Sequence, residues 1–160
     1  SSGGIMRPQE QEKGVIELLI EHEKVIGKLY SIYADKFPAF REFWERLSKE
    51  EAQHAEWLGR LSARIRDGSG HFNRDRFSIQ AIQHSIQYAE KTVNQAWEAE
   101  IGLINALSAS LYIEESMLEK KYFEVFEGDS AEIRQVLLML AEATGEHYRK
   151  VRKAWSENKG

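Results

Sequence analysis

The chain has 160 residues, 22 basic and 26 acidic side chains, a net charge of −4 and no cysteine. That length can bury about 70% of the extended surface in a single domain, here expected over 7–157, while the missing thiols exclude disulfides and thiolate metal sites. Mixed charges without a basic patch argue against a nucleic-acid partner, and no apolar run approaches the roughly 18 residues of a membrane span. Ser1-Ser2-Gly3-Gly4 lacks the charged and apolar regions of a signal peptide, so a cytoplasmic protein is expected.

The first helix is expected to bury Leu19, Glu23, Ile26, Tyr30, Tyr33 and Phe37, a stripe at three-and-four spacing whose only acidic member is Glu23. Pro38 ends it and fits the first turn of a second helix that runs to about Asp67, ahead of the Gly68-Ser69-Gly70 break. The second stripe is Phe40, Phe43, Leu47, Glu51, His54, Leu58, Leu61 and Ile65. Glu51 and His54 are three residues apart and face the same way on a helix, so the pair can bind one metal ion from one side.

Ile79, Ile82, Ile86, Val93 and Trp97 predict a connecting helix that ends near Gly102. A further stripe of Ile104, Leu107, Leu111, Glu115, Leu118, Tyr122 and Phe126 carries Glu115 as its only acid. Gly128 reads as a helix stop and Asp129-Ser130-Ala131-Glu132 as a capping box. The last helix then lines up Ile133, Val136, Leu140, Thr144, His147 and Val151.

These polar interruptions repeat. Glu23 precedes Tyr30 by seven residues and Glu115 precedes Tyr122 by seven; Glu23 to Glu51 is 28 residues and Glu115 to Thr144 is 29, each end point being followed three later by His54 or His147.

On these residues, over roughly 17–155, the chain resembles the ferritin-like di-iron carboxylate family and its rubrerythrin-like branch, whose halves each supply one Glu and one Glu-x-x-His. The run from Glu23 through Tyr30, Tyr33 and Ala34 resembles rubrerythrin's first helix. The resemblance implies an all-α fold, an antiparallel four-helix bundle with one long crossover connection containing an additional helix. It also implies Glu23, Glu51, His54, Glu115 and His147 as metal ligands, iron as the metal with manganese or zinc as alternatives, and an oxidoreductase acting on oxygen or peroxide. Without cysteine there is no rubredoxin module, so electrons would come from an external donor. The chain departs from the pattern at Thr144, which stands where the second bridging Glu belongs, and at Leu118, where rubrerythrins carry an additional carboxylate. Glu142 and Glu146 lie about 200° around the helix from Thr144, so neither replaces it. The missing bridge favours one ion over two, or weaker binding at one position.

Charge leaves two solutions open. Three buried carboxylates need compensation, and no stripe carries Lys or Arg. Two divalent ions would leave +1 and one would leave −1; protonated His54 and His147 would also leave −1 without metal. A redox enzyme, a metal-handling protein and a structural bundle without a site are the three functions in play. Tyr30 and Tyr122 read as packing aromatics, Thr144 as a core residue bonded back to the preceding turn, and His22, His71 and His84 as surface or loop residues. Trp44, Trp57, Trp97 and Trp155 exceed what the stripes absorb, so a homodimer is expected.

Overall fold

The computed structural model describes residues 8–66, 79–120, 122–123 and 129–160. The described residues form five α-helices and no strands: α1 (Pro8–Lys36), α2 (Arg41–Arg66), α3 (Ile79–Glu98), α4 (Leu103–Glu119) and α5 (Ala131–Asn158). The expected glycine break at 68–70, His71, Phe126 and Gly128 lie outside the described residues. None of the described helices is long and apolar enough to cross a membrane.

Pro38 does not enter α2. It opens a short 3-10 turn, Pro38–Phe40, in which the Phe40 amide bonds the Phe37 carbonyl at 2.8 Å. The proline ring blocks continuation of α1, and the tighter turn reverses the chain before α2 starts. α3 stops at Glu98; Gly102 is the extended residue before α4, where Asn105 Oδ1 accepts the Gly102 amide at 3.0 Å. α5 starts after Ser130 as expected, but no side-chain capping bond forms there.

Cross-helix contacts fix the directions. Tyr33 stacks near Trp44 and the Ser48 hydroxyl donates to the Gly27 carbonyl at 2.8 Å, so α1 and α2 run antiparallel. A Cβ on Gly27 would lie 3.4 Å from Glu51 Cβ, so the glycine lets α1 approach α2 closely beside Glu51. Trp155 Nε1 donates to Ser108 Oγ at 3.1 Å while His147 meets Glu114, and Arg64 pairs with Glu132 at 3.0 Å while Lys150 meets Glu50, which makes α5 antiparallel to both α4 and α2. α3 lies along α1, where Lys36 Nζ reaches the Ala99 carbonyl at 2.9 Å. It meets α4 through the Tyr88 and Tyr112 rings, 4.8 Å apart.

The core follows the stripes on α1, α2 and α5, burying Leu19, Ile26, Tyr30, Leu47, Leu58, Leu61, Ile133, Leu140 and Val151. Each large side chain there contributes about 1.5–3 kcal/mol of burial. Two expectations change. Trp44 is wholly buried among Tyr30, Tyr33 and Phe43, so it offers nothing to an interface, whereas Trp97 is 63% exposed. His22 is buried rather than on the surface, its ring edge-on to Tyr122, and burial pushes its pKa down to about 4. His84 is exposed, as expected.

Candidate metal centre

α2 carries Glu51 and His54 one turn apart, and their inward spacing turns both side chains toward α1 and α5. Glu23 arrives from α1, His147 from α5 and Glu114 from α4; all five are buried, none more than 2% exposed. Among the described residues no Lys or Arg is buried with them.

Glu51 is the hub. Its Oε1 lies 2.9 Å from His147 Nδ1 and its Oε2 lies 3.4 Å from His54 Nδ1. His54 Nδ1 also faces Glu23 Oε2 at 3.5 Å, and His147 Nδ1 faces Glu114 Oε1 at 3.4 Å. The imidazole rings sit 5.0 Å apart, and Trp57 stacks on His54 at 5.5 Å. Tyr30 closes the far side by donating its hydroxyl to Glu114 Oε1 at 2.7 Å.

The structure brings Glu114, not the expected Glu115, to the cluster. Glu115 is exposed, whereas Glu114 is fully buried. The inward face of α4 is Ala106, Leu107, Ser110, Ile113, Glu114 and Met117, not the expected Ile104, Leu107, Leu111, Glu115 and Leu118. At about 100° per residue, Glu114 lies about 20° round from Leu107 and Glu115 about 80°, but from Ile104 the order reverses, so helical counting leaves two phases open on this helix. Three residues after Glu114 stands Met117, apolar as Leu118 is. The mirrored Tyr122 pairs its hydroxyl with Ser85 at 2.7 Å.

Thr144 is buried in the same layer and its hydroxyl donates to the Leu140 carbonyl at 2.8 Å, the expected bond to the preceding turn. Glu142 and Glu146 are exposed. A residue that the stripes passed over also reaches the cluster: Glu50 Oε2 lies 3.6 Å from His147 Nε2, while Lys150 Nζ is 3.4 Å from Glu50 Oε1.

Burial and crowding pull the titrations apart. Burial and then the Glu51 charge push Glu23 up to about 8. For Glu51 burial also raises the pKa, but the proton-bearing partners Glu23, His147 and His54 outweigh it and hold the carboxyl below its ordinary value. Burial alone would lower both imidazoles; Glu23 and Glu51 instead lift His54 to about 10, and Glu114 and Glu51 lift His147 to about 11. Burial, then Glu114, raises Tyr30 well above the ordinary phenol range, so it stays a donor.

Even so, both oxygens of Glu23, Glu51 Oε2, Glu114 Oε2, His54 Nδ1 and His147 Nε2 are buried without a hydrogen-bond partner. Buried polar atoms of this density are ordinarily satisfied. Glu51, His54 and His147 each offer a ligand atom within 4.8 Å of the others, so the three can hold one metal ion. Comparison with known proteins finds no family, no curated protein and no solved structure that matches the chain.

Proposed function

We propose that the chain is a rubrerythrin-like, ferritin-like metal-binding protein, with iron as the fitting metal and Glu23, Glu51, His54, Glu114 and His147 as the donors. The antiparallel runs of α1 with α2 and of α4 with α5, with α3 spanning between the pairs, support the bundle with a crossover helix. The observation that carries the reading is the set of unpartnered buried carboxylate and imidazole atoms converging from four helices. An iron ion there would supply redox chemistry toward oxygen or peroxide, with electrons from an external donor. The residues themselves exclude water, hold the donors in register and, through Tyr30, keep Glu114 oriented.

Metal analysis of protein purified without chelators tests this reading, together with the shift of its thermal midpoint on adding Fe(II). Stoichiometric metal and a raised midpoint support it; an ion-free protein indifferent to Fe(II), Mn(II) and Zn(II) rejects it. The second reading is an ion-free structural bundle, favoured by the raised imidazoles, which with a protonated Glu23 can balance two carboxylates. A homodimer is proposed around exposed Trp97, and light scattering that gives only the 18.5 kDa monomer rejects it.

A further inference from the structure

Each imidazole in the centre can offer only one bare nitrogen to a metal, and the other must carry the proton. For His147 the assignment follows from its surroundings. Nδ1 faces inward, between Glu51 Oε1 at 2.9 Å and Glu114 Oε1 at 3.4 Å. Nε2 faces the opposite way, is buried and has no hydrogen-bond partner; the nearest carboxylate is Glu50 Oε2 at 3.6 Å.

We propose that Glu50 is the positioning residue of the metal centre, accepting a hydrogen bond from His147 Nε2–H so that Nδ1 is held bare toward the ion. This rests on the metal-binding reading. Ligating histidines ordinarily pass their second N–H to a carboxylate, carbonyl or water, and that partner fixes ring orientation and tautomer. The present separation exceeds a hydrogen bond by roughly half an ångström. Glu50 is free to close it, because its side chain is 34% exposed and its ion pair to Lys150 is 3.4 Å long and itself exposed.

With two divalent ions, Glu23, Glu51 and Glu114 leave one positive charge in excess, which Glu50 offsets from outside the coordination sphere; with one ion the three carboxylates already outweigh it, and Glu50 acts through the tautomer of His147 alone. Its placement follows from α2 alone in part: Glu50 and His54 are four apart and share a side of the helix, so a carboxylate there looks past the ligands toward α5. The same side chain lines the surface groove between α2 and α5, beside Glu42, Gln53 and Lys153.

The test is a Co(II) titration of the full chain, reading affinity and the visible spectrum, with the thermal midpoint of metal-free protein measured in parallel. Glu50→Ala is expected to weaken Co(II) binding roughly ten- to hundredfold and to alter the spectrum, leaving the metal-free midpoint in place. Glu50→Gln keeps an acceptor oxygen but loses the charge, so it should fall between Glu50→Ala and the parent. Glu42→Ala, which removes a charge from the same groove away from His147, should bind as the parent does. Affinities for Glu50→Ala within about twofold of the parent overturn the role of Glu50 while metal binding stands. A loss of affinity matched by a lowered metal-free midpoint overturns it in favour of a general structural role. A parent chain that takes up no Co(II) removes both this inference and the reading beneath it.

Discussion

His147 Nδ1 lies 2.9 Å from Glu51 Oε1 across 96 residues of chain, and this contact joins the two helix pairs at their most polar point. It makes Glu51 the shared partner of both buried imidazoles, because His54 approaches the other oxygen. Removing Glu51 therefore damages the centre whether an ion or protons neutralise it. Breaking a buried pair costs about 3–5 kcal/mol, so Glu51→Ala is expected to unfold more easily with or without metal.

Glu23→Gln separates the two cases. Glu23 holds its proton to about pH 8, so a neutral amide of the same shape imitates it in ion-free protein. The metal-free midpoint should stay level at neutral pH. Metal content and the midpoint gain from Fe(II) should fall, since a ligand has been lost. An undiminished Fe(II) response in this variant would remove Glu23 from the donor set.

Stability of the metal-free protein should decline as pH rises. A group whose folded pKa is raised contributes fully below its unfolded value and loses that contribution as pH climbs through the folded one. Glu23 loses its part between the ordinary 4.5 and about 8, His54 between 6.5 and about 10, and His147 between 6.5 and about 11. Glu51, held low, works oppositely and loses its part only in acid. Urea midpoints from neutral pH to about 10 should therefore fall; a flat profile would mean that protons do not compensate the carboxylates.

Metal loading must displace those same protons. Apparent affinity should rise with pH, by up to about tenfold per unit for each proton released. Calorimetric titration in two buffers of different ionisation enthalpy counts the protons directly, and a count of zero at pH 7 would contradict the raised imidazoles.

Adjacent glutamates on α4 should behave differently. Glu115→Ala, on the exposed side, should change stability by no more than about 0.5 kcal/mol. Glu114→Ala leaves the buried Tyr30 hydroxyl without its acceptor and His147 with Glu51 as its remaining close carboxylate, and should cost about 3 kcal/mol or more. Tyr30→Phe, which removes only the 2.7 Å bond, should cost about 1–2 kcal/mol. Denaturant midpoints measure all three, and equal effects of the two glutamates would return the question of which one faces inward.

Glu23, Glu51, His54 and His147 were legible in the chain itself, because on α1, α2 and α5 a narrow apolar stripe runs between charged flanks and leaves one phase for the helix. Thr144 and its bond to the preceding turn followed from the same phasing. On α4 apolar residues stand nearly all round, from Leu103 and Ile104 to Met117 and Leu118, so two phases compete and pattern alone favoured Glu115. Contact with Tyr30 on α1 and His147 on α5 selected Glu114. Trp44 and His22 are buried against expectation for a related reason: each is one residue off a stripe on a helix that packs on more than one neighbour, so its buried arc is wider than a single stripe. Helical periodicity records which side of one helix avoids water. How wide that side is, and which charged atom from another helix meets it, depends on where α4 and α5 lie against α1 and α2, and only the tertiary structure decided that.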